Sequence, residues 1–277
     1  MLKNVQYLAV STKLNLNNYQ FELEVALNAI KKASSIVMEI YHGDFTINIK
    51  NDNSEVTNAD LASEKTIKDE LTKNFPEYAI LSEESVDTKN RLTNDYCFIV
   101  DPLDGTKDFV NRTNNFAINI ALSYKQEIVL GLISVPCHNI IYYAIKGCGA
   151  YKIQDGKISK IKVSDRKDNL IMVTSKFFSK GNDKYQNNPL IKEIISIGSS
   201  YKAGLIAEGK ADICIKKDPH TKEWDTAPSE VIVTEAGGVM TDLYGQKRLY
   251  NKEDVYNHDG FIITNSLSVL NEFKENK

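Results

Sequence analysis

The chain has 277 residues, 42% of them hydrophobic and 26% charged, with six prolines and a net charge of −3. That length exceeds an ordinary single domain and calls for two closely packed halves or one large layered unit, and the composition excludes a disordered or low-complexity chain. Lysines are scattered among acids rather than grouped, which excludes a nucleic-acid groove and a polybasic membrane patch.

Residues 1–20 carry one short apolar patch, YLAV, too brief for a signal-peptide core or a membrane span, and read as an N-terminal extension. From Phe21 to Tyr41 apolar residues recur at Val25, Leu27, Ile30, Ala33, Val37 and Ile40, a helical period. A second helix is predicted from Asn58 to Asn74, capped by Thr57 or Asn58, with Asp60 in the first turn where the helix dipole favours it and Pro76 beyond its end. Strands are predicted at 78–81 and 96–100, each running into acids, followed by an antiparallel meander at 116–124, 128–135, 140–145 and 150–153. Residues 21–160 therefore read as an α+β half.

Residues 161–277 read as an α/β half, because strands and helices alternate there: strands LIMVTS, IISIG, DICIKK and FIIT, helices over 199–209 and 224–236, and a last helix. The polar stretch 179–189 reads as a mobile loop. Four cysteines, Cys97, Cys137, Cys148 and Cys214, form no C-x-x-C pair and read as buried, reduced thiols of a cytoplasmic protein.

Acids stand where these elements start or stop: Asp60 in VTNAD, Glu83 and Glu84 in LSEES, Asp101 and Asp104 in DPLDGT, and Asp225 in EWDTAP. Such positions converge on one edge of an α/β sheet, where ligands bind. Gathered carboxylates cannot all ionise without cations among them, and an all-oxygen donor set suits Mg²⁺, with Mn²⁺ as a substitute. In DPLDGTKDF, Pro102 stiffens the turn, Gly105 permits close backbone approach and Thr106 opens a segment whose amides suit an anion. A plain surface turn is the alternative for that stretch alone. Helix-start charge and helix capping remain open for Asp60 and Asp225. Two ions sharing a carboxylate would suit in-line transfer of a phosphoryl group to water.

VTNAD, SEES, DPLDGTKDF and WDTAPSEVIVTEAGG, in that order, resemble the inositol monophosphatase superfamily of magnesium-dependent, lithium-sensitive phosphatases over residues 20–265. Lys107, Phe109 and SIGSSYKAGLIAEGKAD are similar to the 3′(2′),5′-bisphosphate nucleotidases of the CysQ type within it. The resemblance implies a layered αβαβα sandwich and a magnesium-dependent phosphatase that removes the 3′-phosphate of adenosine 3′,5′-bisphosphate, or its sulfated form, in sulfur metabolism. It implies Glu83, Asp101, the Leu103 carbonyl, Asp104 and Asp225 as ligands for two or three ions, and Asp60 with Thr106 as the pair that activates water. It also implies that phosphate meets the Gly105 and Thr106 amides.

Ser199, Ser200 and Lys202 are candidates for the nucleotide, with serine capping of the following helix as the alternative for the serines. Lys107, Lys50 and His220 are weaker candidates. Pro228 is expected in the first turn after Asp225, where a proline is tolerated. Trp224 reads as a packing residue. The rival readings are an inositol or other sugar monophosphate phosphatase and a non-catalytic nucleotide- or metal-binding protein. A monomer, a homodimer and a peripheral association with membranes all stay open.

Overall fold

The computed structural model describes residues 19–50, 54–175 and 185–276. The N-terminal extension up to residue 18 and positions 179–184 of the polar loop lie outside the described residues.

Helix α1 (Gln20–His42) forms from the periodic stretch and buries Leu27, Ile30, Ala33 and Val37. A two-stranded hairpin follows, β1 (Ile47–Ile49) and β2 (Glu55–Thr57), and then α2 (Asn58–Asn74). A seven-stranded sheet comes next. Its strands are β3 (Ala79–Ser82), β4 (Tyr96–Asp104), β5 (Ala117–Tyr124), β6 (Glu127–Val135), β7 (Ile140–Ile145), β8 (Ala150–Gln154) and β9 (Lys157–Ile161), adjacent in chain order. Only β3 and β4 are parallel; the rest is the meander. A short helix, α3 (Thr106–Val110), separates β4 from β5.

The second sheet has five strands: β10 (Leu170–Thr174), β11 (Ile191–Ser196), β12 (Ile213–Lys216), β13 (Val239–Thr241) and β14 (Phe261–Thr264), in the order β11-β10-β12-β14-β13. Helices α4 (Tyr201–Ala207) and α5 (Glu223–Glu235) lie between its strands in sequence, and α6 (Leu267–Phe273) closes the chain.

Alternation along the strands explains the layering. In β4, Phe98 and Val100 join Leu27, Ile30 and Ile67 of α1 and α2, while Cys97 and Ile99 join the core that holds Ile206 of α4 and Val231 of α5. In β12, Cys214 faces that same central core, while Ile213 and Ile215 pack with Val269 and Leu270 of α6. The central strands of both sheets are buried on both faces, which is why they read as continuous apolar runs. The order is helix pair, sheet, helix pair, sheet, helix: the αβαβα sandwich. Gly131 in β6 lets α5 approach closely, since a Cβ there would meet Pro228 Cα at 2.9 Å.

Two expectations need correction. Cys97 and Cys214 are buried, but Cys137 is half-buried and Cys148 is exposed; Cys148 stands between Gly147 and Gly149, both with positive φ, in the turn joining β7 to β8. Strands β1, β2, β9 and β13 were not anticipated, because each is short and β1 and β9 are largely exposed, so burial imposes little pattern on them. No helix among the described residues is long and apolar enough to cross a membrane.

Candidate active site

The motif DPLDG is the bulged end of β4 rather than a free turn. Asp101 pairs with Asn119 and Asp104 with Ala117, so three steps on β4 oppose two on β5. In a regular strand residues three apart point to opposite faces; one extra residue restores the same face to Asp101 and Asp104. Asp101 Oδ1 accepts the Leu103 N–H at 3.1 Å, and the Ser63 hydroxyl of α2 donates to the Pro102 carbonyl at 2.7 Å. Gly105 follows with φ 91°, a left-handed residue that turns the chain into α3.

Two helix starts face this bulge. Thr57 caps α2, and Asp60 Oδ2 accepts both its N–H at 2.8 Å and its hydroxyl at 2.6 Å. Asp60 Oδ1 accepts the Thr106 hydroxyl at 3.2 Å, and the Leu103 carbonyl lies 3.4 Å from that hydroxyl. Asp225 does not cap α5: it occupies the third helical position, and its Oδ2 accepts the Lys222 N–H at 2.6 Å.

Carboxylate oxygens of Asp101, Asp104 and Asp225 all lie within 4.8 Å of one another. Burial and then the neighbouring acids Glu83, Asp104 and Asp225 hold the Asp101 carboxyl well above its ordinary range. Asp225 is pushed up to about 7 by burial and then by Asp104 and Glu83. Burial also raises Asp60, against the two Thr57 bonds that lower it. Three acids crowded together, all offering oxygen, fit a hard divalent cation.

Glu83 stands just beyond β3, where its N–H donates to the Val100 carbonyl at 3.2 Å, and it lies outside the cluster of three. Lys50 donates to Glu83 at 3.2 Å and to Glu84 at 2.6 Å. Burial opposes the Lys50 charge, yet the two glutamates overcome it and raise its pKa; burial raises Glu84 to about 7 despite the Lys50 bond.

The SIGSS side chains turn inward. Ser199 Oγ donates to the Asn115 carbonyl at 2.7 Å, Ser200 Oγ to Asn119 Oδ1 at 2.6 Å, and Lys202 Nζ to the Ser199 and Ile197 carbonyls at 2.6 and 3.2 Å. The Ser200 N–H, by contrast, donates to Asp104 Oδ2 at 2.5 Å. Ser200 precedes α4 without a side-chain capping bond; Ser199 Oγ accepts the Tyr201 N–H at 3.3 Å instead. Lys107 and His220 are exposed. Trp224 is buried in the central core.

Pro228 lies beyond the first turn of α5, not within it. The N–H it lacks would have met the Trp224 carbonyl, and the Asn119 amide donates there at 3.3 Å. Asn119 was passed over in the sequence. A lone amide inside the apolar run FAINIALSY was the available signal, since a buried polar group must find partners.

The sandwich and its carboxylate edge define a class of phosphatases. The profile described as the inositol monophosphatase family matches residues 18–272, and the chain belongs to that family of enzymes. It is 35% identical over 247 residues to the 3′(2′),5′-bisphosphate nucleotidase CysQ of Aggregatibacter actinomycetemcomitans, covering 87% of this chain and 91% of that protein. It is 30% identical over 230 residues to an inositol-1-monophosphatase of Bacillus subtilis, covering 80% and 86%. The crystal structure of CysQ from Bacteroides thetaiotaomicron superposes with a TM-score of 0.78 at 32% identity, covering 89% of this chain and 98% of that one.

Proposed function

We propose that the protein is a Mg²⁺-dependent 3′(2′),5′-bisphosphate nucleotidase that hydrolyses the 3′-phosphate of adenosine 3′,5′-bisphosphate to AMP and phosphate, and accepts the sulfated form. What carries this reading is the meeting of Asp101, Asp104 and Asp225 beside the Asp60–Thr106 pair. Similarity to nucleotidases over most of the chain supports the nucleotide as substrate.

Asp101, Asp104 and Asp225, with Glu83 and the Leu103 carbonyl, would hold Mg²⁺ or Mn²⁺. The bound cations supply positive charge to the phosphate and acidify water. The chain's own part is positioning and proton handling. Thr106 donates its hydroxyl proton to Asp60, so its oxygen can accept one from the attacking water, and a buried carboxylate with a raised pKa is a competent proton acceptor. Phosphate is assigned to Gly105 and Thr106 at the start of α3, with Lys107 beside them. Ser199, Ser200 and Lys202 fix the shape of the segment facing the nucleotide. Lys50 balances Glu83 and Glu84, and His220 is assigned to the substrate rim. The enzyme would act in the cytoplasm, clearing a by-product of sulfate activation.

The Bacillus subtilis relative favours a second reading, hydrolysis of inositol 1-phosphate. Phosphate release from adenosine 3′,5′-bisphosphate, its sulfated form, inositol 1-phosphate, fructose 1,6-bisphosphate and AMP separates the two. The nucleotide bisphosphate should be preferred. Preference for inositol 1-phosphate would replace the substrate and keep the metal chemistry, and silence on the whole panel would leave a binding protein.

A further inference from the structure

The side-chain amide of Asn119, fully buried in β5, touches three segments of the site at once. Its Nδ2 donates to Asp104 Oδ2 at 3.2 Å and to the Trp224 carbonyl at 3.3 Å, and its Oδ1 accepts the Ser200 hydroxyl at 2.6 Å. Its backbone stands opposite Asp101 across the β4–β5 ladder. The strand end carrying Asp104, the helix start carrying Asp225 and the segment before α4 therefore meet on one planar group.

Pro228 explains why the contact with the Trp224 carbonyl exists. In an uninterrupted helix the Trp224 carbonyl would accept the N–H of residue 228, and proline has none to offer. A buried carbonyl without a donor is costly, so a donor from outside the helix is strongly favoured. The contact of Pro228 with Gly131 fixes α5 on β6 close enough for β5 to supply it.

We infer that Asn119 is a positioning residue of the phosphatase site and that it works as a unit with Pro228: the proline opens the Trp224 carbonyl, and the amide filling it links Asp225's helix to Asp104. The inference rests on reading Asp104 and Asp225 as cation ligands. An amide is required at 119. Aspartate would keep an acceptor for Ser200 but lose both donors and set another carboxylate beside Asp104, and alanine would leave all three partners without it.

The test uses Mn²⁺ binding by titration calorimetry and thermal unfolding in chelator, on the wild type, Asn119→Ala, Pro228→Ala and the double variant. Asn119→Ala should weaken Mn²⁺ binding about tenfold to a hundredfold, the usual effect of removing a group that orients a ligand, and lower the melting temperature. Pro228→Ala should weaken Mn²⁺ binding less than Asn119→Ala does, because the amide loses only the Trp224 carbonyl and keeps Asp104 and Ser200. In the double variant the new N–H of residue 228 can bond the Trp224 carbonyl, so the melting temperature should return toward that of Pro228→Ala. Mn²⁺ binding should stay weak, because Asp104 still lacks the Asn119 amide and keeps only the Ser200 N–H.

Recovery of both quantities together would reduce Asn119 to a structural residue and overturn the inference, as would Mn²⁺ binding in Asn119→Ala within about twofold of wild type. If Asn119→Ala does not fold alone, comparison of the double variant with Pro228→Ala decides the question. A wild type that binds no Mn²⁺ would instead overturn the metal reading on which the inference stands.

Discussion

The starts of α2 and α5 are built alike. In each, an aspartate at the third helical position accepts the N–H of the residue that caps the helix, Thr57 for Asp60 at 2.8 Å and Lys222 for Asp225 at 2.6 Å. The surroundings then diverge. The Thr57 hydroxyl adds a second bond to Asp60 and the Thr106 hydroxyl meets its other oxygen, whereas Asp225 faces Asp101 and Asp104. One local device, an aspartate pinned by its own cap, delivers a carboxylate to a fixed place; on the proposed function, what lies across from it decides whether that carboxylate handles protons or shares a cation.

Removing a charge from the crowded side should have the largest effect. Asp101→Asn is expected to lower phosphate release by more than about a hundredfold, since a ligand in direct contact should matter more than the orienting groups behind it. The fold should survive in chelator, because the substitution also removes a buried charge that like neighbours oppose. Retention of more than about a tenth of the activity would break the assignment of Asp101 to the cation site.

On the proton-handling side, Asp60→Asn should lower kcat by roughly 10²–10⁴ while Mn²⁺ affinity stays near wild type. Matching losses of kcat and Mn²⁺ affinity would erase the distinction between the two helix starts and make Asp60 a further ligand. Thr106→Ala, which removes the hydroxyl that Asp60 accepts and that the proposed function sets toward the attacking water, should cost about tenfold to a hundredfold in kcat with KM little changed. An effect confined to KM would mean that Thr106 binds substrate only.

These contrasts were partly legible in the sequence. Long periodic segments such as α1, and apolar runs such as YCFIV, declare themselves because burial on one face or two imposes a pattern over many residues. The acids stood out because each follows a strand or opens a helix, so the fold class and their edge can be argued together. The bulge that places Asp101 and Asp104 on one face was not legible, since alternation alone puts them on opposite faces. Nor were the inward bonds of Ser199, Ser200 and Lys202, or the bridge from Asn119 to the Trp224 carbonyl; their partners are set by how sheets and helices stack, and the Asn119 bridge is 105 residues long in sequence.

The smallest effect is the most direct measure of how the two helix starts differ. Asp225 ionises near 3.8 in an unfolded chain and near 7 in the fold. Between those values the folded state binds more protons than the unfolded one, so stability falls as pH rises through the interval and is flat above it. In chelator the melting temperature should therefore be about 5 °C lower at about pH 8 than at about pH 5. Excess Mg²⁺ supplies the missing countercharge to carboxylates that are ionised only at the higher pH, so its stabilising effect should be larger there. Asp225→Asn should flatten the profile in chelator more than Asp60→Asn does, because the two Thr57 bonds favour the ionised form of Asp60 while Asp225, which accepts the Lys222 N–H, is opposed by Asp104 and Glu83. Equal flattening by the two variants would show that the caps do not distinguish these carboxylates, and the crowding around Asp225 could then no longer be offered as the cause of the slope.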